Sequence, residues 1–230
     1  MAGVSSPVRQ WLKERKRSIK RTTALRRSDA VLLSPGKSGR TWVRAMLSHA
    51  FHRAFATPID ELISDDNLQR LDRRVPAVLF THGTGEPPAL VRRLTATGLR
   101  DKCVIALVRD PRDVMVSRYH HYHNRSARFA RRHSGDEARV PEAIGSFILR
   151  GRRIERLVSR IDELKALTSA VPNGHLFQYE AFRREPAAQL ARMLQAIGCT
   201  IDDAHIEAAV AFTEFERLKK REAERFYQSE

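Results

Sequence analysis

The chain is 230 residues long, 42% hydrophobic, and carries a formal net charge of +15 from 42 Lys and Arg against 27 Asp and Glu. That length supports one domain with a substantial buried core. Its two cysteines, Cys103 and Cys199, exclude a disulfide framework and fit no zinc-ligand spacing. No segment approaches the roughly 20 apolar residues of a spanning helix, and the basic stretch Arg9 to Arg27 leads into no apolar h-region. A soluble chain in a reducing, cytoplasmic setting is therefore expected. The charge favours anionic partners: nucleic acid, a membrane surface or a phosphorylated ligand.

Residues 1–28 read as a basic arm, with Trp11-Leu12 as its one apolar anchor, ahead of a single α/β domain over 29–230. Ala30-Val31-Leu32-Leu33 is a short apolar run that breaks at Ser34-Pro35-Gly36, the pattern of a buried strand entering a loop. From Arg40 the pattern becomes helical, with Trp42, Val43, Met46, Leu47, Ala50 and Phe51 on one stripe. A second strand is expected at Ala77–Phe80, ending at Thr81-His82-Gly83, and a third at Cys103–Val108. Arg109-Asp110-Pro111-Arg112-Asp113 follows, where Pro111 suits a first helical turn and Asp113 its positive end. That helix should run through Tyr119 toward Arg132. Amphipathic helices are expected around 141–170 with a turn near Gly151, then a strand at Leu176–Tyr179. A helix over Pro186–Ile197 and a helical tail from Asp202 to about Arg225 complete the reading. Alternating strands and helices imply a central parallel sheet covered on both faces, with ligands at the carboxyl ends of its strands.

The loop Ser34 to Trp42 joins a strand to a helix N-terminus. Its glycines let backbone N–H groups approach a phosphate, Lys37 adds a full charge, and Ser38 and Thr41 can donate hydroxyl hydrogen bonds. A nucleoside-triphosphate loop, G-x-x-x-x-G-K-[ST], fits poorly, because its first glycine would fall on Val31. A plain glycine turn is the bland alternative.

Lys37-Ser38-Gly39-Arg40-Thr41-Trp42 resembles the K-S-G-T-T-W loop of sulfotransferases that use 3′-phosphoadenosine 5′-phosphosulfate (PAPS). The resemblance implies that this loop holds the 5′-phosphosulfate, that Lys37 stabilises charge on the departing phosphate, and that Trp42 stacks on adenine. Arg40 stands in place of the first Thr, where it supplies an extra cation to the bound phosphate or simply faces solvent, and Gly36 stands where the family usually has Pro. Val108 to Tyr119 is similar to the family's 3′-phosphate segment, R-[DN]-P-[RK]-D-V-x-V-S-x-Y after a strand, which assigns Arg109 and Ser117 to that phosphate. Phe80-Thr81-His82-Gly83 resembles the K-T-H segment, with His82 as the catalytic base and Phe80 in place of the Lys. A histidine suits that role at neutral pH; a strand-end turn cap is the alternative.

Phe177-Gln178-Tyr179-Glu180 resembles the Y-E-D segment, with Ala181 replacing Asp, and Thr213 to Lys219 resembles T-S-F-x-x-M-K, with Glu214 replacing Ser. These imply adenine contacts from Tyr179, Thr213 and Phe215. The family's C-terminal R-x-G…G-x-W-K segment is not found before Glu230, so weaker cofactor binding is expected. His120-His121-Tyr122-His123 does not read as a metal site, because successive helical positions face different sides. The arginines at 125–132 and 150–156 read mainly as a solvated face.

The resemblance thus implies a PAPS-dependent sulfotransferase with 3′,5′-ADP as product, no metal, and a hydroxyl acceptor. Carbohydrate, phenol, sterol, lipid and small metabolite all fit as acceptors. The rival readings are a nucleotide kinase or phosphotransferase on the same loop, a non-catalytic basic binder of nucleic acid or membrane, and an inactive relative that keeps the cofactor.

Overall fold

Four apolar runs become four parallel strands in a computed structural model of the chain, which describes residues 23–82, 99, 101–124, 143–214, 217, 218 and 220. They are β1 (Ala30–Leu33), β2 (Val78–Thr81), β3 (Cys103–Val108) and β4 (Gly174–Gln178), and their order across the sheet is β2-β1-β3-β4. Every residue of β1 and β3 is buried, as two strands covered on both faces require. The chain therefore reverses its direction of travel across the sheet between β1 and β3. In open sheets of this kind that switch point is where ligands bind.

The helices α1 (Arg40–Phe55), α2 (Asn67–Leu71), α3 (Pro111–Asn124), α4 (Ile144–Leu149), α5 (Arg153–Ala170), α6 (Tyr179–Arg184), α7 (Pro186–Ile197) and α8 (Asp203–Phe212) cover the sheet. Alternate strand residues face opposite ways. Ala30, Leu32, Ile105, Leu107 and Phe177 pack with α1, α7 and α8, while Val31, Leu33, Val104 and Ala106 pack with Leu164 and Leu167 of α5. A third cluster, including Val108, Met115, Phe147 and Leu157, ties α3, α4 and α5 together beyond the end of β3. Leu25, from the helical turn 23–27, joins the second face. The edge strand β4 is shielded by α7: Arg192 donates to the Leu176 carbonyl at 3.1 Å and lies 4.2 Å over the Phe177 ring.

The expected elements are present with shifted ends. β2 starts at Val78 because the Ala77 amide turns to the Asp29 carboxylate at 2.8 Å instead. β4 starts earlier than Leu176: Gly174 pairs with Val104 while lying so close to Thr168 that a Cβ would sit 1.9 Å from the Thr168 carbonyl oxygen. It also ends at Gln178, since Tyr179 already opens α6. The turn near Gly151 is a kink, with Gly151 at φ 59 and Arg152 at φ 55. The continuous tail helix is a correction. α8 stops at Phe212 because the Thr213 hydroxyl bonds back to the Ala209 carbonyl at 2.8 Å and the Thr213 carbonyl is taken by the Trp42 indole at 2.9 Å. Helix resumes at 217, 218 and 220, and residues 221–230 lie outside the described residues, as do 125–132 of the expected third helix.

Leu32, fully buried on the central strand, should therefore be among the costliest truncations. Leu32→Ala is expected to lower unfolding free energy by about 2–5 kcal/mol, whereas Leu71→Ala, 58% exposed, should change it by less than about 0.5 kcal/mol. Urea denaturation of the two variants checks this.

Candidate functional site

The carboxyl end of β1 runs through Ser34 to Gly39 into α1. Gly39 caps the helix at φ 84, and no side chain satisfies its first amides. The N–H groups of Arg40, Thr41 and Trp42 have no acceptor within the helix, so this end presents donors and partial positive charge. Lys37 takes a left-handed φ of 73, unusual for a residue with a Cβ and worth roughly 1–3 kcal/mol of strain. Ser38 is fully buried and its Oγ meets no hydrogen-bond partner among the described residues. A buried hydroxyl beside unsatisfied amides and a lysine is the donor set that a phosphate ester requires.

Arg109 enters from the end of β3. Its Nη1 donates to the Lys37 carbonyl at 3.4 Å, its Nη2 lies 3.5 Å from Asp113 Oδ2, and its guanidinium sits 4.3 Å over the Tyr179 ring. Its Nε is buried with no hydrogen-bond partner among the described residues. The neighbouring backbone is tied down, since the Asp110 amide donates to Glu180 Oε1 at 2.9 Å. Hydrogen bonds from Arg112 hold the Asp110 carboxyl well below the usual range, at about 2, so the start of α3 keeps its acidic cap.

Tyr179 lies under the loop. A Cβ on Gly39 would come 2.4 Å from Tyr179 Cδ2, so only glycine fits there, by contact as well as by φ. Trp42 meets Tyr179 edge-on at 5.8 Å and Phe182 at 6.4 Å, and Arg183 stands 6.0 Å from the Trp42 ring. The indole is anchored on the Thr213 carbonyl.

His82 follows β2, whose last residue is bound to the loop: the Ser34 amide donates to the Thr81 carbonyl at 3.1 Å. His82 Nε2 lies 2.6 Å from Arg40 Nη2, where it accepts from the guanidinium. Burial pushes the His82 pKa below its ordinary value, and the charges of Arg40 and Arg118 push the same way against an opposing bond to the Ser34 backbone. That direction favours the neutral imidazole. On α3, the Nδ1 of His121 accepts from Lys37 Nζ at 2.9 Å.

Lys37, Ser38, Gly39, Arg40, Arg109 and His82 thus converge at the ends of three adjacent strands, with Trp42 and Tyr179 behind the loop. Thr41 is exposed on the first turn of α1, and Ser117 is half-buried two turns into α3. Thr213 is fully buried with its hydroxyl spent on the end of α8, and Phe215 lies outside the described residues. Val31 is a buried strand residue, so the glycine of a triphosphate loop has no counterpart here. Residue-by-residue reading missed His121, Glu180 and Arg183. The first was findable, because Asp113, Ser117 and His121 recur at intervals of four on one face of α3. Among the described residues no group of three or more His, Cys, Asp or Glu could hold a metal, and no helix is long and apolar enough to cross a membrane.

A family model described as a sulfotransferase domain matches residues 27–230. No curated protein matches the chain in sequence. Among solved structures, a mouse sulfotransferase complexed with PAP (3′,5′-ADP) superposes with a TM-score of 0.55 at 19% identity, over 84% of this chain and 66% of that one. A retinol dehydratase with androsterone and inactive cofactor PAP gives 0.58 at 14% identity, over 87% and 70%. The complex described as retinol dehydratase with retinol and PAP gives 0.58 at 16%, over 88% and 71%. The chain spans about two thirds of the length of these neighbours, and the likeness is one of fold.

Gly39→Ala is expected to disturb the loop through Tyr179. The clash and the positive φ together should cost about 1–3 kcal/mol, visible as a lower melting temperature. Unchanged melting would show that Tyr179 does not brace the loop.

Proposed function

The chain belongs to the sulfotransferase domain family, and we propose that it moves a sulfuryl group from PAPS to an acceptor hydroxyl with His82 as general base. The observation that carries this reading is the convergence of a phosphate-type loop, a half-buried arginine and a histidine bonded to Arg40 at three adjacent strand ends. PAPS supplies the activated sulfuryl group. Lys37 and the first amides of α1 hold its 5′ side and stabilise the charge that develops on the bridging oxygen. Arg109 and Ser117 receive the 3′-phosphate, where the unpartnered Nε of Arg109 offers one more donor. Trp42, Tyr179, Thr213 and Phe215 form the adenine side, Trp42 and Tyr179 as ring surfaces and Thr213 by holding the indole.

His82 takes the proton of the acceptor hydroxyl as the oxygen–sulfur bond forms and the bond from sulfur to the bridging oxygen breaks, in line, releasing 3′,5′-ADP. Its low pKa favours this, because a neutral imidazole has a free lone pair at physiological pH once Arg40 moves aside. The scheme calls for no metal. Two buried free thiols, Cys103 and Cys199, with pKa values pushed up to about 11 by burial, are inert and support a cytoplasmic setting. The catalytic domain in this reading is 29–230, behind a basic arm at 1–28.

Calorimetric titration with 3′,5′-ADP tests the donor site. Binding should far exceed that of ADP, and Arg109→Ala should weaken it by about 10- to 100-fold. Equal or better binding of ADP would refute the reading in favour of a phosphotransferase. For the base, His82→Ala should cut kcat by about 10²- to 10⁴-fold while 3′,5′-ADP still binds. The wild-type kcat/KM should rise with pH as His82 loses its proton below its ordinary pKa of 6.5, then level off by neutrality. A rise centred above 7 would exclude His82 as that base.

A further inference from the structure

In the donor-site reading Lys37, Arg109 and the amides of α1 serve the two phosphates, while the guanidinium of Arg40 reaches His82 Nε2 at 2.6 Å. It has no carboxylate partner among the described residues. Burial raises the cost of its charge, and Arg44, one turn along α1, adds to that cost. Arg118 on α3 bears on the same histidine with the same sign. Arg44 is itself engaged, donating to the Ile63 carbonyl and facing Asp65. A partly desolvated guanidinium with no carboxylate partner among the described residues, at the atom that receives the acceptor's proton in the donor-site reading, is half of an ion pair.

We propose that Arg40 recognises an oxyanion carried by the acceptor near its reacting hydroxyl, a phosphate, carboxylate or sulfate group. This rests on the donor-site reading above and narrows the acceptor class within it. In the free chain the guanidinium occupies the His82 lone pair. Arrival of the acceptor's anion draws Arg40 off as a charge-assisted fork and frees Nε2 for the hydroxyl. A neutral acceptor offers nothing to replace the Arg40–His82 bond, so it competes for a blocked base. Arg40 therefore couples recognition to availability of the base and disfavours uncharged alcohols.

The test uses the full chain saturated with 3′,5′-ADP, titrated with inorganic phosphate at fixed ionic strength, as wild type, Arg40→Met and Arg40→Lys. Phosphate should bind the loaded wild type, with affinity about tenfold lower in Arg40→Met and largely retained in Arg40→Lys. Turnover with PAPS on paired acceptors, 4-hydroxybenzyl alcohol against 4-hydroxybenzoate and glucose against glucose 6-phosphate, should favour the charged member of a pair. Arg40→Met should raise KM for that member about tenfold and speed turnover of the neutral one, whose base is no longer blocked. Equal phosphate binding by wild type and Arg40→Met overturns the proposal, as does preference for the neutral members. A rise in the KM for PAPS with phosphate binding intact overturns it too, because Arg40 would then serve the donor. If 3′,5′-ADP does not bind the wild type, the donor-site reading fails, and phosphate titration of the unloaded chain judges Arg40 by itself.

Discussion

Parallel hydrogen bonding places Leu33 beside Thr81 on one side and beside Ala106 on the other. Because β1 and β2 end together and β3 runs only two residues further, Ser34, His82 and Arg109 emerge on one edge of the sheet. A slip of one residue would turn every side chain of a strand to the opposite face. Such a slip is prevented by burial on both faces: Leu32 belongs to the α1 side, and Val31 and Leu33 to the α5 side. Hydrophobic packing thus sets the geometry of a polar site that contributes little to it.

On that edge, one pile of side chains joins the loop to the strands. Arg109 lies over Tyr179, Tyr179 fills the space above Gly39, and Trp42 closes the group edge-on while bonded to Thr213. Each such cation–π or aromatic contact contributes only about 0.5–2 kcal/mol. Their joint effect is to fix Arg109, a long side chain that would otherwise lose entropy on meeting an anion. The interruption between α8 and the residues after Thr213 belongs to the same arrangement, since the carbonyl that would continue the helix is the one that holds the indole.

Electrostatically the site is lopsided. Lys37, Arg40, Arg109 and Arg118 surround the ends of β1 and β3, while the nearby acids are occupied: Asp110 with Arg112, Asp113 with Arg109, Glu180 with a backbone amide. Part of the net charge is thus concentrated at one functional edge. For His82 that charge adds to burial in disfavouring the imidazolium, and Arg40 has no carboxylate partner among the described residues.

The sequence determined the elements and their chemistry. Short apolar runs bounded by turn residues favour strands over helices, and Lys37, His82 and Arg109 follow such runs within four residues. Local patterns also marked Pro111 as a helix start and Gly151 as a bend. Contacts across long chain separations were decided by the tertiary structure alone. Arg40 meeting His82, His121 meeting Lys37 and Trp42 meeting Thr213 depend on which strands are neighbours and on where each side chain points. No local propensity encodes either. For the same reason the tail helix could not be ended correctly from its own residues: the group that stops it belongs to α1, 171 positions away in the chain. Periodicity reports which face of an element is apolar, and only packing decides which polar group that face is brought to meet.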